Sequence, residues 1–163
     1  MFRLATENKD DWWEVEALYD LTFAPGREAL SSYRLREGVR PVADLCLTVR
    51  DAYEALAGVI RYWPVVVGDG QHACLLLGPV AVHPTHQGEG LGAFLMRESL
   101  ALAKDTGWGR VLLVGDAPYY QRFGFEAAPS LDFPKPVNPD RILSLELVEG
   151  AFDGVFGEVG KVH

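Results

Sequence analysis

Hydrophobic residues change their spacing several times along this chain, and each change marks an element. Residues 2–6 alternate as a short strand, and Asn8-Lys9-Asp10-Asp11 then supplies side-chain oxygens able to cap a helix that begins near Trp12. Trp12, Val15, Leu18, Tyr19 and Thr22 recur at helical spacing through Phe23, and Pro25-Gly26 ends the pattern. A second helical stretch is expected over 27–36, with Leu30, Tyr33 and Arg34 near one face, before Gly38 and Pro41 break it. These two helices suit a lid or an acceptor pocket.

From Ala43 the period shortens. Leu45, Leu47 and Val49, then residues 56–67, alternate or run apolar with β-branched residues, and Asp51-Ala52-Tyr53-Glu54 joins them as the turn of an antiparallel hairpin. Gly68-Asp69-Gly70 is a second turn, followed by a strand over 73–82 that Gly78-Pro79 interrupts. A Gly-Pro pair inside a strand predicts a bulge or splay, where backbone groups leave the ladder and become available to a ligand. Helical spacing returns over 90–106, with Leu91, Leu95, Ser99, Leu102 and Ala103 on one face and Gly107 as terminator. Residues 110–114 read as a buried strand and Asp116-Ala117-Pro118 as a turn into a short helical segment ending at Gly124. Extended structure resumes at Phe125, a Pro-rich loop spans 129–139, and 141–148 forms a last strand; the tail from Gly150 has no clear period. The expected order is β-α-α-β-β-β-α-β-α-β, a mixed-sheet α/β domain with antiparallel strands first and one β-α-β crossover.

At 163 residues the chain fits a single domain, 1–163, that buries roughly two-thirds of the surface its unfolded form exposes. Its 48% hydrophobic and 23% charged residues exclude a disordered or fibrous class. A net charge of −8 argues against nucleic acid, whose binding draws on clustered Lys and Arg, and leans toward a cationic acceptor. The apolar stretches are strand-sized, and residues 1–7 lack a basic region followed by an apolar core, so no membrane partner is expected and the cytoplasm is the expected compartment. Cys46 and Cys74 lie in apolar runs and are expected to be buried and reduced, with neither nucleophile nor metal-ligand spacing; no metal is expected.

The segment from Val80 to Ala93 carries the chemistry. Glycines at 88, 90 and 92 let consecutive amides approach a ligand, and they precede a helix whose unpaired N–H groups and positive dipole end favour an anion such as a pyrophosphate. A turn that only packs the helix tightly on its strand is the alternative. Gly88-Glu89-Gly90-Leu91-Gly92-Ala93 also fits a dinucleotide fingerprint, with Asp116 placed to bind a ribose. The dinucleotide turn, however, leaves its strand almost directly, whereas residues 83–87 intervene here and no second mononucleotide half follows.

Gln87-Gly88-Glu89-Gly90-Leu91-Gly92 resembles the Gln/Arg-x-x-Gly-x-Gly/Ala signature of the GCN5-related N-acetyltransferases (GNAT). The resemblance extends to the interrupted strand before it, to the strand over 110–114 and to Tyr120-Gln121-Arg122-Phe123-Gly124-Phe125, and it covers about 56–125. Poorly characterised bacterial members share Leu-Leu-Val-Gly-Asp leading into Tyr-Tyr, as at 112–120. The resemblance implies a mostly antiparallel sheet with a central splay and acetyl-CoA as co-substrate. Gln87, Gly88, Glu89, Gly90, Leu91, Gly92 and Ala93 would hold its pyrophosphate, and Val80, Ala81 and Val82 would present backbone groups to its pantetheine arm, one amide polarising the thioester carbonyl. Tyr120 would protonate the departing thiolate; packing on the sheet edge with its hydroxyl tied to backbone is the alternative. Asp116 would serve as the base at the strand end, or cap the following helix. Arg122, and with it Arg97, would pair with the 3′-phosphate, or make surface ion pairs.

Direct transfer to a primary amine of a small molecule or peptide is the leading expectation, and a homodimer is compatible with it. The alternatives are a non-catalytic acyl-CoA sensor of the same fold and an NAD-linked oxidoreductase. His72, His83, His86, Glu28 and Glu54 remain further candidates for base or pocket residues, and Trp63-Pro64 for the acceptor site.

Overall fold

The computed structural model describes residues 1–23 and 31–162. The expected stop at Pro25-Gly26, the first turn of the expected second helix and the pocket candidate Glu28 lie outside those residues. The described elements are β1 (Arg3–Thr6), α1 (Trp12–Thr22), α2 (Ser31–Arg34), β2 (Leu47–Arg50), β3 (Leu56–Val67), β4 (His72–Val82), α3 (Leu91–Asp105), β5 (Arg110–Val114), α4 (Ala117–Tyr120), β6 (Glu126–Ala127), β7 (Leu131–Asp132), β8 (Ile142–Glu146) and β9 (Gly157–Lys161). Hydrogen-bonded neighbours run β1-β2-β3-β4-β5-β8-β6, and β9 joins the far end of β3 and pairs with β7. Among the described residues only β4–β5 and β7–β9 are parallel pairs, so the sheet is mixed and mostly antiparallel, with α3 making the β-α-β crossover.

Most elements follow the periodicity. Asn8 accepts the Asp10 amide while Asp11 accepts the Asn8 amide, a reciprocal cap that starts the chain into α1. Two features depart from the expected order. The tail, without a clear period in sequence, returns as β9 and closes the free edge of β3 at Val65–Val67; the Pro-rich loop contributes the two-residue β7. Pro64 sits mid-strand without an amide to donate. The Tyr62 carbonyl accepts the Val42 amide on the outer edge of β3, so alternation turns Pro64 to that same edge, in the gap between β2 and β9 where no ladder bond is lost.

The bulge predicted at Gly78-Pro79 is present. Tyr62 pairs with Leu77 and Ile60 with Val80, so Arg61 faces both Gly78 and Pro79. The extra residue resets the alternation: Leu75 and Leu77 before it, and Val80 and Val82 after it, pack on the side of α3. Gly78 is needed there because a Cβ would lie 2.6 Å from the Trp63 ring and 2.8 Å from the Arg61 carbonyl. On the opposite face, α1 buries Val15, Leu18 and Tyr19 against Leu56, Val59 and Ala81. The Tyr19 hydroxyl donates to the Pro79 carbonyl at 3.0 Å and so satisfies an acceptor at the bulge. Cys46 and Cys74 are buried free thiols, as expected. No helix among the described residues is long and apolar enough to cross a membrane.

Candidate active site

The parallel ladder between β4 and β5 is short. Leu75 pairs with Val111 and Leu76 with Leu112, after which the strands diverge. A cleft of about 510 Å³ opens between them, walled by Leu77 to Val80 on one side and Leu113 to Asp116 on the other, with Tyr119, Tyr120, Tyr33 and Arg141 also among its lining. The His83 amide donates to the Ala57 carbonyl at 2.8 Å, toward β3. Strand alternation therefore turns the amides and carbonyls of Val82 and Val80 to the open edge. The main chain of Ala81, paired with Val59, is spent on β3, and its methyl is buried under α1. Of the three strand residues singled out in sequence, two turn their backbone to the open edge of β4, and of these Val80 lines the cleft.

The turn that follows is open. Gly88 (φ +85°) and Gly90 (φ +80°) hold left-handed conformations that favour glycine, and a Cβ on either would meet nothing within 4 Å. Gly90 precedes α3 with no side-chain cap, which leaves the first amides of a 15-residue helix to an external acceptor. Gln87, Gly88 and Glu89 are exposed, whereas the Leu91 side chain is in the core, so only its amide is available to a ligand. Gly92 lies beneath the Tyr119 hydroxyl, 3.2 Å from the position a Cβ would take. A cradle without side chains, backed by uncapped amides, fits a diphosphate.

Sequence reasoning missed the brace behind this turn. His86 contacts Glu89 through Nδ1 (2.9 Å) and Asp51 of the β2–β3 turn through Nε2 (3.2 Å). The Glu89 contact, then Asp51, raises its pKa above the ordinary histidine value. When protonated, His86 donates from both nitrogens and offsets the Glu89 carboxylate beside the anion cradle. His83 accepts the Thr85 amide and shapes the turn before it. Only the contact with Asp51 lay beyond sequence reach; the His86–Glu89 pair is three residues apart.

Tyr120 lines the cleft, its ring edge-on to Tyr119 (5.0 Å) and Phe125 (5.9 Å). Gly115 admits that ring, since a Cβ there would lie 2.6 Å from it. Among the described residues the Tyr120 hydroxyl has no hydrogen-bond partner, unlike the backbone-tied alternative. Burial, reinforced by Tyr119, pushes its pKa up to about 12, so it stays protonated and can donate. Asp116 stands at the N-cap of α4, at the cleft mouth, exposed and without the capping hydrogen bond that the alternative required. Arg122 lies outside the cleft lining with its guanidinium 4.6 Å over the Tyr119 ring, and Arg97 lies 5.5 Å over Phe123. His72 is at the far end of β4, and Glu54 pairs with Arg3 at the β2–β3 turn, so neither reaches the cleft.

The model of the acetyltransferase (GNAT) family matches residues 12–125, most of the chain and all of the cleft lining except Arg141. The chain belongs to the GNAT family. The N-acetyltransferase YhbS of Escherichia coli strain K12, itself uncharacterised, is 29% identical over 147 residues, 89% of this chain and 87% of its own. YjhQ of the same organism is 28% identical over 139 residues, 83% and 76% of the two chains. The crystal structure of E. coli YhbS in complex with CoA superposes with a TM-score of 0.84 at 27% identity, covering 99% of this chain and 89% of that one. A GNAT acetyltransferase of Brucella melitensis in complex with acetyl-CoA superposes with a TM-score of 0.76 at 26% identity, covering 99% and 96%.

In this GNAT chain a second cleft, of about 430 Å³, adjoins the first, and Tyr33 lines both. Trp63, though not Pro64, lines it, and Arg61 forms its buried floor. Arg61 donates to both oxygens of Glu7, at 2.9 and 2.7 Å, and to Glu16 at 2.7 Å. Burial alone would lower its pKa; Glu7 reverses the effect, and the guanidinium is held firmly charged.

Proposed function

We propose that this chain transfers an acetyl group from acetyl-CoA to a primary amine by direct attack, with both substrates bound together. The observation that carries the reading is the continuous path from the free backbone of Val80 and Val82, along the diverging edge of β4, to the open amides at Gly88–Ala93. Acetyl-CoA supplies the activated acetyl thioester. The turn holds the pyrophosphate through main-chain N–H groups, the Val82 and Val80 edge hydrogen-bonds the pantetheine arm as a surrogate strand, and Arg122 approaches the 3′-phosphate beside Tyr119.

One of the two free strand amides donates to the thioester oxygen, fixed in place before charge develops there. Asp116, at the cleft mouth, takes the proton that the attacking amine loses, directly or through water. Tyr120 delivers its phenolic proton to the sulfur as the carbon–sulfur bond breaks. A nucleophilic cysteine has no place in this scheme: both thiols are buried, with pKa values pushed up by burial to about 11 at Cys46 and about 12 at Cys74. The reaction suits the cytoplasm, where acetyl-CoA is made and used.

Calorimetry tests the cradle. The unaltered chain is expected to bind CoA and acetyl-CoA, and Gly92→Val to lose that heat while melting within a few degrees of it. Gly92 is the better probe than Gly90, where the left-handed backbone would add strain of its own. CoA affinity unchanged in Gly92→Val, or absent in the unaltered chain, overturns the assignment.

A further inference from the structure

The second cleft holds a cation that the proposed transfer chemistry leaves unused. The Arg36 guanidinium carbon lies 3.5 Å from the centre of the Tyr33 ring and 4.1 Å from that of Trp63. Two aromatic faces therefore flank the guanidinium plane, and the Trp63 ring is itself anchored by its indole N–H donating to the Val39 carbonyl at 3.2 Å. The main chain is tied as well: the Arg36 amide bonds the Tyr33 carbonyl at 3.1 Å, and the Val39 amide bonds the Arg36 carbonyl at 2.9 Å. The Arg36 side chain also hydrogen-bonds Tyr33, and its remaining donors belong to a plane already set in position for a ligand.

The charge on Arg36 is poorly compensated from within. Burial lowers its pKa, with Tyr33 opposing, and nearby Arg61 adds to the lowering. The Glu7 and Glu16 carboxylates are engaged by Arg61, and Glu37 stands exposed at the rim. Among the described residues no carboxylate forms an ion pair with Arg36.

We infer that Arg36 binds a carboxylate of the acceptor, so that the acceptor is an amine of amino-acid type that carries both charges. The inference rests on the acetyl-transfer reading of the neighbouring cleft. Because Tyr33 lines both clefts, a molecule whose carboxylate meets Arg36 extends past Tyr33 toward the Val80 edge, where its amine would be acetylated. A planar carboxylate matches the remaining guanidinium donors through two parallel N–H···O bonds. Glu7, Glu16 and Glu37 around the same cleft disfavour a bare dianion such as a phosphate there.

The test uses matched ligands, the common amino acids and their α-carboxamides, with the full chain in three forms: unaltered, Arg36→Gln and Arg36→Lys. Melting of the CoA complex is followed with each ligand in excess, and CoA release from acetyl-CoA is measured over the same set. In the unaltered chain the carboxylate member of at least one pair is expected to raise the melting temperature above its amide. It is also expected to show about ten-fold or greater advantage in kcat/KM, entering through KM. Arg36→Gln is expected to erase both differences, and Arg36→Lys, which keeps the charge but loses the fork, to retain part of them; the lysine form carries the comparison should the glutamine form not fold. A preference for the amides, no carboxylate-dependent shift in the unaltered chain, or a preference untouched by both substitutions overturns the assignment alone. Absence of any CoA-dependent shift removes the acetyl-transfer reading, and the assignment with it.

Discussion

Single side chains in this protein divide into those whose type and motif announce a role and those whose role depends on a distant partner. Tyr120 belongs to the first group: the spacing Tyr-x-x-x-Gly-Phe points to it, and the structure adds that its hydroxyl has no partner among the described residues and is protonated at neutral pH. Tyr120→Phe is expected to lower kcat about a hundred-fold with little change in the KM for acetyl-CoA, measured by steady-state CoA release. An unchanged kcat takes Tyr120 out of the chemistry. Tyr19, Arg36 and Arg61 belong to the second group. Tyr19 is one more residue on a helical face until its hydroxyl is seen on Pro79, 60 positions away, and Arg61 interrupts an apolar run until Glu7 and Glu16 are seen to surround it. No local period encodes such pairings.

At the scale of elements, the strong periods held and the weak ones did not. The strand runs of β3 and β4 and the face of α3 are long enough to identify themselves, and the bulge is written in Gly78-Pro79. β9 carries only Val159 as a β-branched residue, so its place comes from pairing with Val65–Val67 nearly a hundred residues earlier. The glycine turn also depends on a distant element, because His86 ties it to the β2–β3 hairpin through Asp51. That tie has a pH window. His86 has a raised pKa in the folded protein, so its contribution is complete below the ordinary histidine value of about 6.5 and is lost as pH rises through the folded value. For Asp51, burial pulls upward, but the Tyr53 and Ala55 amides and His86 outweigh it, and the pKa is lowered. Its contribution is therefore present above about 3.9 and lost as pH falls through the lower folded value. His86→Asn is thus expected to depress the melting temperature at pH 6 and to converge with the unaltered chain by pH 9; an equal deficit at both would exclude titration of His86 as the cause.

Across the whole molecule, the proposed reading divides one sheet between two tasks: α3 and the glycine turn would serve the cofactor, and α1 with the segment around Arg36 the acceptor. The cofactor side was legible because it is built from one continuous stretch, residues 80–93. The proposed acceptor side was legible only as two N-terminal helices and Trp63, because Glu7, Glu16, Tyr33, Arg36 and Trp63 meet only after folding. We propose that residues 1–163 form one cooperative domain, and its two thiols report on this. Cys46, just before β2, is 3% exposed, and Cys74, on the central strand β4, is fully buried. Under native conditions at pH 8 a thiol reagent is expected to modify both at one common rate, that of global unfolding. Faster labelling of Cys46 alone would show that the segment before β2 opens by itself. The doubled residues at Gly78-Pro79 have a last consequence. An uninterrupted β4 would offer the neighbouring parallel strand more partners than Leu75 and Leu76, and a seam zipped along its length is the arrangement backbone chemistry prefers. The bulge withholds that option, so the molecule forgoes some ladder strength to keep a gap that a second molecule's thin acyl arm can fill.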